Sequence, residues 1–409
     1  MGKTIRYGID SQPVPSIKTI VFDKRDTKVI DTKINEQEII NFVGIIFEKK
    51  EIFVSFPKNF KVCESNLNDD MTLLFNVLTK HFQENQQKYI DRSLSIKTNY
   101  PFNSFYNIYD YYQRYGVYKE EERYTQNGYQ GNVSWKETIQ KSNKVVSKQG
   151  LMFIPMKIKK LESKQVFISE CMVFAINYTL DFFEGFISLA KIEGSYVKRD
   201  LLQEKEYVLS RLNLIKNEIF KDTNKKLLNN LIQFFEEISE GGEYHIKNYT
   251  FRGVWETMIE FYLNSHFISA NPKKIVMSEE KNKNNTKKFT KRTFHPNYVN
   301  SKHNIQPDHY LEEEDTQYIF DAKYYQNLDG INYKQIAYQM FLENYSDSKE
   351  EPYNKKFTET ISALILPGNF ESKVHFQIKP EFNYIEYKKK FTILEHYLDV
   401  KKVMRSYSS

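Results

Sequence analysis

The stretch from Gln306 to Tyr325 constrains this chain more than any other. Two short runs, His309-Tyr310-Leu311 and Thr316-Gln317-Tyr318-Ile319-Phe320, flank the acidic run Glu312-Glu313-Glu314-Asp315. That pattern predicts a β-hairpin, because aromatic and β-branched residues suit a half-buried sheet and the acidic run suits a turn. With the turn centred on Glu314-Asp315, Leu311 faces Tyr318 and Asp308 faces Asp321. The register sets two carboxylates on neighbouring strands with Cβ atoms about 4.5–5.5 Å apart. Side chains alternate along a strand, so Asp321 and Lys323 share one face while Phe320 and Ala322 point into the core behind it.

Two carboxylates that close repel unless a cation lies between them, which suits a divalent metal. An ammonium beside them orients an attacking water and stabilises charge developing on a phosphate. The metal lowers the pKa of that water and neutralises the scissile phosphate. Asp308, Asp321 and Lys323 therefore form the set that phosphodiester hydrolysis requires. The alternative is a surface ion-pair set at a strand end.

The surroundings extend this set. Upstream, Gly253-Val254-Trp255-Glu256 opens an amphipathic helix with Val254, Met258, Phe261 and Tyr262 on one face, and Glu256 lies about half a turn away from them. Downstream, the run from Asn332 to Phe341 reads as a helix in which Gln335 and Gln339 are i,i+4 neighbours. Ile361–Leu366 and Val374–Ile378 read as strands, and Lys389–Met404 as a closing helix. Between Lys273 and Arg292 eight basic residues stand against two acids, Glu279 and Glu280. We read residues 271–305 as a mobile basic insertion. Lys287, Lys288, Lys291 and Arg292 in it, with Lys334 beyond the hairpin, are candidate contacts to DNA phosphates; a solvated loop is the alternative.

The rest of the chain narrows the classes. Fifty-nine basic and 53 acidic residues give a net charge of +6, which permits a polyanionic partner without requiring one. Cys63 and Cys171 form no CxxC motif, so zinc and disulfide roles are set aside and a reducing, cytoplasmic setting is expected. His295, His303 and His309 match no common zinc spacing. The N-terminus lacks an apolar signal region, and no apolar run is long enough to span a bilayer, so no membrane association is expected. A strand pair is expected at 42–47 and 52–56, a helix from Met71, and long helices at 166–189, 198–220 and 223–238. The tyrosine-rich run 101–118 reads as a helix buried through its aromatics rather than a base-stacking platform. Trp135 and Lys136 are either a DNA contact or a buried tryptophan with a solvated neighbour.

Pro307-Asp308 and Asp321-Ala322-Lys323 resemble the signature of the PD-(D/E)xK nuclease superfamily. More narrowly, the chain resembles LlaJI-type restriction endonucleases, relatives of the nuclease subunit of McrBC systems. Supporting segments are Phe42-Val43-Gly44 with Phe56-Pro57-Lys58, the run from Gly131 to Ile139, Val254-Trp255-Glu256, Asp321-Ala322-Lys323-Tyr324-Tyr325, and Lys334-Gln335 with Tyr338-Gln339. This resemblance implies an α/β (α+β) fold: a nuclease core with a mixed central sheet flanked by helices, preceded by a mixed N-terminal region and a helical segment. It implies Mg²⁺ held by Asp308 and Asp321, Lys323 at the water, Glu256 as a helper carboxylate and Gln335 near the scissile strand. The long Lys/Asn-rich insertion departs from the family pattern and leaves the path from Glu256 to Asp308 open.

The domains expected are an N-terminal α/β domain at 1–160 for DNA recognition or partner docking, a helical connecting region at 161–245, and the nuclease domain at 246–409. The expected activity is Mg²⁺-dependent cutting of double-stranded DNA at a short recognition sequence, in defence against foreign DNA. Alternatives are a subunit working with a separate GTPase motor, as in McrBC-like systems, or a repair or junction nuclease. The chain has no GxxxxGK[ST] segment, so any motor is a partner. Cutting both strands also makes a homodimer the expected assembly.

Overall fold

The computed structural model describes residues 4–15, 20–31, 36–88, 96–148, 150–164, 166–194, 200–239, 241–282, 286–346, 356–382 and 391–409. The chain forms two compact units: residues 1–99 together with 241–409, and residues 100–240. Boundaries at 160 and 245, drawn from the sequence, remain a separate expectation about function.

The first unit carries two five-stranded sheets. In one, the apolar runs pair as expected: Val43–Phe47 lies antiparallel to Glu51–Phe56 around the Glu48–Lys50 turn. Tyr244–Asn248 adds to the other side of Val43–Phe47, followed by Ile96–Thr98, while Thr4–Ile9 runs parallel to Glu51–Phe56. Gly44 is required in this sheet, since a Cβ there would lie 2.1 Å from the carbonyl oxygen of Ile246.

The second sheet is mixed, in the order His309–Glu313, Thr316–Ala322, Glu359–Pro367, Thr392–Leu398, Glu371–Gln377. Its three inner strands are parallel to one another and both edge strands are antiparallel to their neighbours. The helix Phe251–His266 buries Val254, Trp255, Met258, Ile259, Tyr262 and Leu263. The Trp255 ring N–H donates to the Ile365 carbonyl at 3.4 Å, which ties this helix to the sheet. Truncating so large a buried side chain to alanine costs about 3–5 kcal/mol. The helix Tyr333–Glu343 packs through Tyr338 and Leu342 onto Tyr310, Ile319 and Phe294.

Two readings change here. The segment expected as a closing helix from Lys389 is split: residues 383–390 lie outside the described residues, Thr392–Leu398 is a strand, and the helix is Val400–Ser408. Asp399 caps that helix by accepting from the Lys402 N–H at 2.9 Å, and the β-favouring Thr392-Ile393 start with near-continuous burial suits a strand inside the sheet. The basic run is also less loose than expected. Phe267–Asn271 pairs with Lys274–Met277, and Thr290 bridges Tyr310 along the free edge of the His309–Glu313 strand. Phe289 and Phe294 are buried and anchor it.

The second unit contains the helices Phe102–Tyr115, Phe167–Phe182, Lys205–Lys216 and Asp222–Glu237, with the ribbons Glu120–Asn127/Lys157–Lys164 and Asn143–Ser147/Gly150–Ile154. Phe102–Tyr115 does bury Phe105, Ile108 and Tyr109. Trp135 is 57% exposed, against the buried reading. Among the described residues no helix is long and apolar enough to cross a membrane.

Candidate active site

The acidic turn sets the hairpin as its sequence implied. Glu314 adopts the left-handed region, with φ of 50°, and the ladder pairs Leu311 with Tyr318 and His309 with Phe320. One step beyond the last pair, Asp308 stands across from Asp321. Both are buried, and Lys323 is only 4% exposed. Its backbone N–H donates to the Ile365 carbonyl at 2.9 Å, which fixes the chain as it leaves the sheet.

Charge is concentrated at this point. The Lys323 ammonium pairs with Asp321 Oδ2, and the Lys334 Nζ is 3.6 Å from Oδ1. Lys291 Nζ lies 3.8 Å from Asp308 Oδ1 and 4.0 Å from Glu256 Oε2. Glu256 in turn accepts from Arg252 Nε at 2.8 Å. Burial first, then the hydrogen bond and charge of Asp321, push the Asp308 carboxyl up to about 7. Burial acts upward on Asp321 too, but its hydrogen bond with Asp308 and the Lys323 and Lys334 ammoniums outweigh it and hold that carboxyl low. The two shifts are opposite in sign, so Asp308 holds a proton more readily than Asp321. Even so, Asp308 Oδ2 and both Asp321 oxygens lack a well-formed hydrogen bond although buried.

Orphaned buried carboxylate oxygens are costly unless something else satisfies them. Mg²⁺ is commonly bound by one or two carboxylates while keeping several waters, so this donor pair fits it. Among the described residues no group of three or more His, Cys, Asp or Glu side chains is arranged to hold a metal. Glu256 is held by Arg252 and lies 4.0 Å from Lys291, which also approaches Asp308.

The structure gathers some of the remaining candidates and diverts others. Gln335 is fully buried; its Nε2 donates to the Ile319 carbonyl at 2.8 Å and to Ser362 Oγ at 2.6 Å. Its amide nitrogen braces the Asp321 strand, while its Oε1 is buried without a hydrogen-bond partner. Lys287 pairs with Glu313 at 2.8 Å, and Arg292 pairs with Glu312. The acidic turn therefore engages two of the four cations read as DNA contacts in the basic run. Lys288 is exposed.

Three features escaped the sequence. His309 is buried with neither ring nitrogen partnered, and burial lowers its pKa to about 3. Arg252 is the i,i+4 partner of Glu256, a spacing visible in the sequence. Lys291 joins Glu256 to Asp308, which only the docking of Phe289 reveals.

A sequence profile of the LlaJI restriction endonuclease matches residues 42–393. The chain belongs to this family. Restriction endonucleases of this kind are DNA endonucleases, so the buried carboxylates sit in a protein of a DNA-cutting class. No curated protein matches the sequence. Among solved structures, a chain of the refined half-complex from the tetradecameric assembly of Thermococcus gammatolerans McrB AAA+ hexamers with bound McrC is 10% identical. The match covers 99% of this chain and 98% of that one, with a TM-score of 0.40. The cryo-EM structure of the Thermococcus gammatolerans McrBC complex matches at 10% identity over 63% of this chain and 86% of that one, with a TM-score of 0.25. Both likenesses are weak.

Proposed function

We propose that this restriction endonuclease cuts double-stranded DNA with Mg²⁺ at Asp308, Asp321 and Lys323. The observation that carries the reading is the pair of facing buried carboxylates, in which Asp308 Oδ2 and both Asp321 oxygens are left without well-formed hydrogen bonds. When bound, Mg²⁺ would neutralise the scissile phosphate and acidify the attacking water. Asp308 and Asp321 would hold it, and Asp308 would give up its proton on binding. Lys323, locked by the Ile365 carbonyl, keeps its ammonium beside Asp321, where it can orient the water and meet developing negative charge. Lys334 adds a second positive charge on the same carboxylate, and Lys291 is placed to meet a phosphate once Asp308 turns to the metal. Gln335 and Trp255 hold the strand ends, which keeps the reacting groups in register.

The finer reading is cutting at a short recognition site, in defence against foreign DNA, by a homodimer that brings one centre to each strand. Incubating purified protein with methylated and unmethylated plasmid, in Mg²⁺ or EDTA, tests it. Discrete ends that map to one short sequence and vanish in EDTA support the reading; random ends point to a repair or junction nuclease. Cutting that starts only when a separate GTPase is added assigns the chain to a motor-dependent system. Cutting by the chain alone removes the need for such a partner.

A further inference from the structure

Glu395 stands outside the carboxylate pair yet is 6% exposed. It occupies the same row of the sheet as Asp321, since Asp321 pairs with Leu364 and Leu364 with Glu395. The two carboxylates therefore share a face, two strands and roughly 9–10 Å apart. Unlike Asp321, Glu395 is well supplied with partners. The Tyr397 hydroxyl donates to it at 2.6 Å, Lys373 Nζ lies at 3.1 Å, and His375 Nδ1 is 2.8 Å from Oε1.

The second ring nitrogen of His375 decides what this cluster does. Its Nε2 lies 3.3 Å from the backbone N–H of Asn332. A backbone N–H only donates, so Nε2 carries the lone pair and the ring proton sits on Nδ1, facing Glu395. His375 reaches this position through a break in the ladder: Val374 pairs with Leu394 and Phe376 with Ile393, leaving His375 as the extra residue. A bulge of this kind re-aims a side chain and is over-represented next to active sites.

Asn332 is the N-cap of the helix Tyr333–Glu343, and its side chain accepts from the Gln335 N–H at 3.0 Å. That first turn carries Lys334, at 3.6 Å from Asp321, and Gln335, the brace under Ile319. Packed apolar side chains would join the two strands as well as this buried polar set does. Only the polar set supplies a directed acceptor for an amide that a helix start leaves without an intrahelical partner.

We infer that His375 and Glu395 are positioning residues that fix the start of the Tyr333–Glu343 helix and, through it, hold the Lys334 ammonium against Asp321. The inference rests on the proposed cutting centre at Asp321. Glu395 orients the imidazole, the imidazole holds the Asn332 amide, and the amide sets where Lys334 points.

The test combines hydrogen exchange with a double-mutant cycle on the full chain, in the assembly that cuts. In metal-free protein, His375→Leu should speed amide exchange at least tenfold in peptides spanning 331–338 while the strands Thr316–Ala322 and Glu359–Pro367 keep their protection. Single-turnover cutting should fall roughly 10–100-fold with little change in DNA affinity, the usual size of a loss from an outer positioning group. His375→Gln, which keeps an acceptor near the Nε2 position, should restore cutting to within about threefold of wild type, on the same scale. In a Lys334→Ala background, His375→Leu should cost nothing further, because both act through one contact. Unchanged exchange at 331–338, or losses that multiply with Lys334→Ala, would overturn the inference. Should His375→Leu fail to fold, Glu395→Gln answers the same question: its loss must vanish in the Lys334→Ala background, and persistence there overturns the proposal. An Asp321→Asn protein that still cuts would instead sink the proposed centre and leave the exchange result standing.

Discussion

Two buried Lys–Asp pairs, one in or against each sheet of the first unit, look alike in composition and differ in every other respect. Lys247 meets Asp26 at 2.8 Å, and Asp26 is completely satisfied: its Oδ1 accepts from the Tyr249 hydroxyl at 2.8 Å and its Oδ2 from the Asp23 N–H at 2.8 Å. Lys323 meets Asp321 in the same way, but Asp321 has a second carboxyl pressed against it and buried oxygens without well-formed hydrogen bonds. A saturated ion pair is a structural element, since breaking it strands a buried charge. An unsaturated one leaves buried carboxylate oxygens that a bound cation would satisfy. Charge and burial are common to both sites; satisfaction separates them.

The contrast can be broken most directly by removing one carboxylate from each. Asp321→Asn should lower cutting by on the order of a thousandfold, about 4 kcal/mol of transition-state stabilisation, in a protein that still folds. Asp26→Ala should do the reverse, costing about 3–5 kcal/mol in urea unfolding while the surviving folded protein cuts normally. Equal effects on both quantities at both sites would erase the distinction.

Metal gives the next contrast. Mg²⁺ at a hundred times its dissociation constant should stabilise the wild-type protein by about 2.7 kcal/mol, read as a rise in the unfolding midpoint. Asp26→Ala should keep that increment on its lower baseline, and Asp321→Asn should lose it. A metal-induced rise that survives Asp321→Asn would place the cation elsewhere.

A further effect, spread over a range of pH, separates orphaned groups with and without charged neighbours. His396 lies in the same sheet as Asp321, buried, with Nδ1 against Ser372 Oγ at 2.7 Å and Nε2 unpartnered. Burial alone lowers its pKa to about 4. Its neutral form is favoured in the fold, so its contribution is intact above the unfolded value of about 6.5 and is lost as pH falls from there toward 4. The loss amounts to at most about 3 kcal/mol. His396→Leu should flatten this part of the stability profile, whereas an unchanged slope would assign it to other groups.

Local chemistry made the hairpin legible. An acidic turn between two aromatic and β-branched runs admits few registers, and a one-residue slip would turn Asp321 to the opposite face. The helix from Asn332 and the strand pair at 42–47 and 52–56 were readable for the same reason. What stayed hidden depends on distant residues. The basic run looks like solvent-exposed loop until Phe289 and Phe294 find the sheet edge and Glu312 and Glu313 neutralise Arg292 and Lys287. Gln335 reads as a residue near the scissile strand, and only the fold shows its amide nitrogen bonded to Ser362. The Glu395–His375 pair joins two strands and a helix start through a bulge that no sequence period announces.

The central claim is that the unsaturated carboxylate pair is the cutting centre, and Asp321→Asn tests it most directly. Plasmid cleavage by wild-type and variant protein should be measured with Mg²⁺ and with EDTA, beside an unfolding curve for each. The account predicts a folded variant that leaves the plasmid intact under conditions where wild type cuts it. A folded Asp321→Asn protein that cuts at the wild-type rate would contradict it.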